Sequence, residues 1–320
     1  MPEFRQNFIT KNWVIIAPKR AKRPSTFKKC PFCEGNERLT PKEVFALRDP
    51  LSKPNSPGWK IRVVPNKFPT FGHAKEKIKK EDIFLKKSAI GGHELIILKD
   101  HKKELPDLKE SEIENLIKVF KNRYRFWRKK RFINYILIIE NKGKKAGASI
   151  SHPHFQLFAF SNISNSLIEK EFKEAENFFL KRKKCIFCKL IEVEKKLKKR
   201  IIMENEHFII LAPFASNYPY ELLLLPKNHE PEFETISEEK AKFLAKILKE
   251  IFRKIKKNLS NPDWNLFIHN FPKIKSRYAK QIFHWHLKII PRLTTLGGFE
   301  LATEMIVNIS LPEETKRILK

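Results

Sequence analysis

Ala146-Gly-Ala-Ser-Ile-Ser-His152-Pro-His154-Phe-Gln156-Leu-Phe-Ala-Phe160 is the stretch on which the reading of this chain turns. His152, His154 and Gln156 alternate with Pro153, Phe155 and Leu157. On an extended strand, a period of two sends the three polar side chains to one face and the apolar ones to the other. A loop containing glycine and serine, Asn141 to Ser149, comes immediately before. Glycine has no side chain to obstruct a ligand, so such a loop brings backbone N–H groups close to a phosphate. Paired histidines beside a phosphate-sized loop point to phosphorus chemistry at an imidazole. A metal-binding or half-exposed polar strand is the alternative.

The motif recurs. Gln281-Ile-Phe-His284-Trp-His286-Leu-Lys288-Ile-Ile290 is a second His-x-His on an apolar strand, and two cysteine pairs of equal spacing precede the two histidine pairs, Cys30-Pro-Phe-Cys33 and Cys185-Ile-Phe-Cys188. Between them each half has an apolar run ending in a histidine: Glu94-Leu-Ile-Ile-Leu-Lys-Asp-His101 and Glu221-Leu-Leu-Leu-Leu-Pro-Lys-Asn-His229. Amphipathic helices follow at roughly 111–131 and 237–258, with Ser111…Glu114 and Thr235…Glu238 as capping boxes. Further strands, Tyr135–Ile139 and Leu266–Ile268, lead into the His-x-His pairs. The order Cys-x-x-Cys, strand, His, helix, strand, His-x-His occurs twice, which is the mark of a duplicated module.

A chain of 320 residues is long enough for two domains, each with its own core. No apolar run reaches the length of a membrane span, and the opening Met-Pro-Glu-Phe-Arg has no signal-peptide pattern, so a soluble cytoplasmic protein is expected. All four cysteines sit in the two Cys-x-x-Cys pairs. In a reducing compartment that favours metal ligation over disulfides. Redox-active pairs are the alternative, and the matching histidines in both halves argue against them.

The formal charge is +30, from 66 Lys+Arg against 36 Asp+Glu, which favours anionic partners. Lysines such as Lys75, Lys77, Lys79, Lys181, Lys183, Lys254 and Lys256 are scattered along the chain. That is the pattern of general lysine enrichment with solvated faces seen in some heat-adapted proteins. No RNA-recognition motif, helix-turn-helix signature or basic tail occurs, so no specific nucleic-acid partner is expected.

Zinc takes four ligands in a tetrahedron, and a Cys-x-x-Cys turn supplies two of them. Site one is assembled from Cys30, Cys33, His101 and His152. Site two is assembled from their counterparts Cys185, Cys188, His229 and His284. Each set is Cys₂His₂ with no open position, so two structural zinc ions are expected. His269 is an alternative ligand at site two and His93 at site one. His73 and His207 have no counterpart in the other half, and ordinary surface or core roles are expected for them.

Glu140-Asn-Lys-Gly, Gly147-Ala-Ser149 and His152-Pro-His154-x-Gln156 resemble the signature of the galactose-1-phosphate uridylyltransferases, a branch of the histidine-triad superfamily. Trp13-Val-Ile-Ile-Ala-Pro-Lys-Arg20-Ala-Lys-Arg23-Pro, Asn66-Lys-Phe-Pro69 and Gly298-Phe-Glu300 resemble further blocks of that family in the same order. The resemblance covers nearly the whole chain. It implies an α+β fold of two tandem histidine-triad-like domains, each an antiparallel sheet with a long packed helix: a catalytic domain over residues 1–164, a connecting helix over 165–184 and a second domain over 185–320.

The resemblance also implies a ping-pong nucleotidyltransferase. His154 attacks the α-phosphorus of a nucleotide sugar, and a sugar 1-phosphate then takes the nucleotidyl group from it. A backbone carbonyl in the histidine strand fixes the tautomer of His154, and zinc holds His152 in place. Gln156 stands where the wider superfamily has a third histidine. An amide donates a hydrogen bond but cannot act as a general acid, which suits transfer rather than hydrolysis. By the same position-matching Arg20, Arg23 and Asn66 meet phosphates, with a neighbouring subunit's site implied and hence a homodimer. Asn141, Gly147 and Ser149 line the nucleotide, and Phe299 and Glu300 face the hexose.

His286 matches His154, but no glycine-rich loop precedes it and Lys288 stands in the place of Gln156. One catalytic site per chain is expected. Leu301–Ile306 lacks a glutamine expected near galactose. The ADP-glucose phosphorylases share the nucleophile and zinc sites but tend toward His-Ser-His, so His152-Pro-His154 favours uridylyl over adenylyl transfer. Dinucleoside-tetraphosphate phosphorylases are a more distant resemblance. A non-catalytic zinc-stabilised nucleotide-binding protein is the reading from another class, and the presence of His154 weighs against it.

Overall fold

The computed structural model describes residues 1–24, 28–72, 77–273 and 276–319. His73 and Lys75 lie outside them. In chain order the strands are β1 (Glu3–Gln6), β2 (Trp13–Ile16), β3 (Phe45–Arg48), β4 (Trp59–Pro65), β5 (Ile78–Glu81), β6 (Phe84–Ser88) and β7 (Gly91–Leu98). They continue with β8 (Tyr135–Lys142), β9 (His154–Phe160), β10 (Ile201–Glu204), β11 (Phe208–Leu211), β12 (Leu222–Pro226), β13 (Trp264–His269) and β14 (His286–Pro291). The longer helices are α1 (Glu110–Arg128), α2 (Leu167–Arg182), α3 (Ile186–Leu197) and α4 (Glu238–Asn258).

The fold is α+β with antiparallel sheets, as the sequence implied. The two halves, however, do not keep separate sheets. One ten-stranded sheet runs β10-β11-β12-β14-β13-β8-β9-β7-β4-β3, and every neighbouring pair is antiparallel. The halves meet where β13 pairs with β8, from Trp264 opposite Lys142 to Ile268 opposite Ile138. Each of these strands ends its own half-sheet. Joining them removes two open edges whose N–H and C=O groups need partners. A smaller four-stranded sheet, β2-β1-β6-β5, sits beside the first half.

Both long helices lie on one face of the large sheet and touch each other. In α1 the buried residues Ile113, Leu116, Ile117, Phe120 and Tyr124 recur at helical spacing, as do Leu244, Ala245, Leu248, Ile251, Phe252 and Ile255 in α4. They pack with Ile138, Phe155, Leu157, Leu266, Leu287 and Ile289 of the sheet into one apolar core that spans both halves. A buried Arg123–Glu94 pair, with bonds of 2.8 and 2.6 Å, ties α1 to β7. The caps differ from the expected ones. At α1 the Glu112 carboxylate accepts from Lys109 N–H, and at α4 Ser237 accepts from Lys240 N–H. Ser111 already lies inside α1, and Thr235 belongs to a separate single turn before α4.

Glu140 is buried on the helix face of β8, where Trp264 Nε1–H donates to its Oε2 at 2.8 Å. Burial pushes its pKa up to about 8, the Trp264 bond opposes this, Glu104 adds to it and Lys142 opposes it. A carboxyl raised in the folded state keeps a proton that the unfolded chain has lost. Stability from this group is therefore full below pH 4.5 and is lost as pH climbs to about 8, on the order of 5 kcal/mol in all. Glu140→Gln keeps the Trp264 bond but cannot ionise. Melting curves from pH 5 to 8 are expected to slope less for this variant than for the wild type; parallel slopes contradict the assignment.

Candidate nucleotidyl-transfer site

On β9 the alternation is realised. Phe155, Leu157 and Ala159 enter the core, while His154, Gln156 and Phe158 face away from the helices. There they line a cavity of about 260 Å³. Arg20, Arg23, Asn66, Asn141, Gly147 and Ser149 line the same cavity, although they come from three separate parts of the chain. Its apolar wall includes Phe32, Pro41, Val64 and Leu95.

His154 Nδ1–H donates to the carbonyl oxygen of its own strand neighbour, His152, at 2.8 Å. The tautomer follows: Nδ1 carries the proton, and the Nε2 lone pair is left for chemistry. Burial lowers the pKa of His154, with the bond to His152 O opposing, so the ring stays neutral. The Phe32 ring packs against it edge-on at 5.1 Å.

The loop leading into β9 needs glycine at two positions. Gly143 and Gly147 both have φ of +85°, a left-handed conformation that costs other residues strain. Ala148 N–H returns to Gly143 O at 3.0 Å, and Asp263 from the second half accepts from Lys145 N–H at 2.8 Å.

Arg20 sits on a short turn, Pro18–Lys22, and donates to Phe68 O at 2.9 Å. Burial and the positive charge of Arg23 lower its pKa. Among the described residues, neither arginine has a carboxylate partner, so two cations converge on the cavity unneutralised. An anionic occupant completes this arrangement.

His93 does not join the first cysteine site. It is buried against Gln156 instead, and its pKa is pushed down to about 3 by burial, with the Gln156 contact opposing and Arg20 and Arg23 reinforcing. Thr70 N–H points at its Nδ1 (3.2 Å), and Nε2–H donates to Gln156 Oε1 at 3.0 Å. The Gln156 amide therefore presents its NH₂ to the cavity. Asn66 Oδ1 accepts from Phe68 N–H at 2.8 Å, and its Nδ2 lies 3.1 Å from His93 Nε2.

Phe299 and Glu300 do not reach this cavity within one chain. They lie on a short exposed helix, Gly298–Thr303, where Glu300 Oε2 accepts from Gly297 N–H.

Cys30, Cys33, His101 and His152 converge, with ligand atoms all within 4.8 Å of one another. Cys33 Sγ lies 3.2 Å from His101 Nδ1 and 3.6 Å from His152 Nδ1. His152 Nε2–H donates to Leu98 O at 2.7 Å, which leaves Nδ1 as a lone pair facing the sulfurs. Cys185, Cys188, His229 and His284 form a second such cluster, and His229 Nε2–H donates to Lys280 O at 2.8 Å. Two thiols and two imidazoles presenting lone pairs to one point form a donor set that fits a tetrahedral metal.

His269 is not a ligand of the second cluster. Its ring stacks on His286, centroids 4.8 Å apart, and Tyr135 Oη lies 3.2 Å from its Nδ1. Glu171 of α2 closes over both, 3.2 Å from His286 Nε2. The counterpart of the His154 cavity is thus filled by a carboxylate and Lys288. His286 is fully buried.

The galactose-1-phosphate uridyl transferase N-terminal domain model matches residues 1–164, and the C-terminal domain model matches residues 171–316. The chain belongs to the galactose-1-phosphate uridyl transferase family and is a nucleotidyltransferase of it. An ADP-glucose phosphorylase from Arabidopsis thaliana is 32% identical over 100% of this chain and 92% of its own length. A galactose-1-phosphate uridylyltransferase from Thermotoga maritima is 31% identical over 100% of this chain and 98% of its own. Among solved structures, the Arabidopsis phosphorylase with bound ADP-glucose superposes with a TM-score of 0.79 at 32% identity, covering 100% of this chain and 98% of that one. A uridylyltransferase structure at 24% identity reaches a TM-score of 0.84 over 99% of this chain and 97% of that one, a likeness of fold. No helix among the described residues is long and apolar enough to cross a membrane.

Sequence reasoning missed the supports of the site: Asp263 and Asn265 from the second half, and the partner of His93. Asn265 had one visible signal, a polar residue inside the apolar run Trp264-Asn-Leu-Phe-Ile268.

Proposed function

We propose that the protein transfers a nucleotidyl group from a nucleotide sugar to a phosphate-bearing acceptor through His154, and that the preferred reaction is uridylyl transfer from UDP-glucose to a hexose 1-phosphate such as galactose 1-phosphate. The observation that carries this is the free Nε2 of a neutral His154, its other nitrogen held by His152 O, inside a cavity with two arginines. Nε2 attacks the α-phosphorus, the P–O bond to the departing sugar phosphate breaks, and a nucleotidyl-histidine forms. The acceptor's phosphate oxygen then attacks that phosphorus and Nε2 leaves.

Arg20, Arg23 and Asn66 are assigned to the phosphates, as is the Gln156 amide. Asn141, Gly147 and Ser149 are assigned to the nucleotide. Neither phosphate leaving group needs a proton near neutral pH, which suits an amide at position 156 in place of a titrating histidine. Zinc is the proposed metal at both Cys₂His₂ clusters, where it supplies structural stiffness rather than reactivity. Phe299 and Glu300 lie outside their own chain's cavity, so the hexose contacts are proposed to come from a second copy in a homodimer. Cytoplasmic location, in keeping with reduced cysteines, completes the reading.

His152-Pro-His154 favours the uridylyl donor. The Arabidopsis ADP-glucose phosphorylase at 32% identity favours a second reading, in which adenylyl passes from ADP-glucose to inorganic phosphate. Intact mass after mixing with each sugar nucleotide separates them. A uridylyl gain from UDP-glucose, discharged by galactose 1-phosphate, is the expected result. A gain only from ADP-glucose, discharged by phosphate, moves the protein to the second reading. No adduct from either removes both.

A further inference from the structure

Asn265 is a buried polar residue on β13, in the half of the molecule that carries no reactive histidine. The β13–β8 pairing sets it directly opposite Asn141 across the junction of the two halves. Its Nδ2 lies 2.9 Å from Asn141 Oδ1 and 2.9 Å from the carbonyl oxygen of Ala146. A carbonyl oxygen can only accept, so the group facing Ala146 O must be the Asn265 NH₂. Its second hydrogen falls to Asn141, which must then present Oδ1. One backbone oxygen thereby decides the orientation of two amides in series.

The consequence lies on the cavity side. With Oδ1 taken, Asn141 has its own NH₂ left to offer, and Nδ2 stands 4.0 Å from where a Cβ on Gly147 would be. The donor thus lies over the bare face of the turn that lines the cavity. We propose that Asn265 is a positioning residue of the nucleotide site, holding the Asn141 amide with its donors toward the phosphate and ribose of the substrate and clamping the turn at Ala146. Phosphate oxygens only accept; with the amide reversed, Oδ1 would face them and attraction would become repulsion. The pair is no leftover of duplication. Gln156 lies opposite Ile139 and its counterpart Lys288 opposite Phe267, so the position matching Asn141 in the second half is His269. The second half therefore supplies a support of its own to the reactive half.

This inference rests on the nucleotide-transfer reading, and the test keeps the two apart. Asn265→Asp is nearly isosteric but offers acceptors to Asn141 and to Ala146 O. For adduct formation with UDP-glucose and with ADP-glucose, the expected result is a concentration dependence shifted about tenfold upward, with the rate at saturation lowered less than about threefold. In an Asn141→Ala background the same change is expected to add only about two- to threefold, since the bond to Ala146 O is still lost but no amide remains to be oriented. Full additivity in the two backgrounds, or a loss confined to the saturated rate, overturns the proposal. Should Asn265→Asp fold poorly, the native protein still reports. Nuclear Overhauser contacts between the Asn141 side-chain NH₂ and the Gly147 α-protons are expected without any ligand, and their absence overturns the proposal. If the wild type forms no adduct, the transfer reading fails while these contacts still show whether the amide is held as described.

Discussion

His154→Ala is expected to abolish nucleotidyl transfer while leaving the fold and both Cys₂His₂ clusters in place. The side chain sits at 7% exposure on the cavity face of β9, and its backbone remains paired to β7 in the variant. What disappears is the one imidazole lone pair that the described residues present to the cavity. With the nucleophile gone the two-step route closes, and losses on the order of 10⁴ or more accompany removal of such a group. The loss in stability is small by comparison: the edge-on Phe32 contact is worth about 1 kcal/mol. Intact mass with UDP-glucose and ADP-glucose, metal content and a melting curve check all three statements. An adduct that persists in His154→Ala places the nucleophile elsewhere. His286 is a poor alternative, because Glu171 closes the space above its ring.

That contrast between the two halves marks what the sequence could reveal. Period-two alternation, Cys-x-x-Cys spacing and the repeated order are local patterns, and they located the strand of His154, both four-ligand clusters and the two long helices. The merging of two half-sheets into one could not be read this way. Which edges pair depends on the β8 and β13 strands finding each other across more than a hundred residues, and nothing within either strand specifies that. The fate of His269 is of the same kind. Its neighbours in sequence resemble those of a metal ligand, but Glu171 comes from α2 and draws it into a separate cluster. His93 was legible only as a histidine near the metal-binding run. Its place beside Gln156 required the register of β7 against β9, which sets His93 opposite Phe158 and Leu95 opposite Gln156. Phe299 and Glu300 show the opposite limit: the motif matches, yet both residues lie outside the His154 cavity of their own chain.

Disruption of the first Cys₂His₂ cluster is expected to disable both stability and transfer, whereas disruption of the second is expected to cost stability with the chemistry largely kept. In Cys30→Ser, one of four ligands is replaced by a poor one, and the Cys33, His101 and His152 donors are left facing one another. Structural zinc contributes about 10–16 kcal/mol in small zinc-finger peptides, so a loss of at least about 3 kcal/mol, or roughly 10 °C in melting temperature, is expected here. The catalytic consequence runs through the backbone. His152 O is the acceptor that holds His154 Nδ1–H, and His152 is anchored by its Leu98 bond on one nitrogen and the cysteine cluster on the other. Freeing one anchor lets that carbonyl move, and an ångström of misplacement at a nucleophile costs about 10²-fold. Cys185→Ser removes the equivalent anchor of His284, whose carbonyl holds the occluded His286 at 3.1 Å and touches nothing in the cavity. Elemental analysis should fall from two metals per chain to one in either variant, and both should melt early. Only Cys30→Ser should form the adduct slowly at a temperature where each variant is still folded. Equal adduct rates in the two variants break the proposed link between the first cluster and His154.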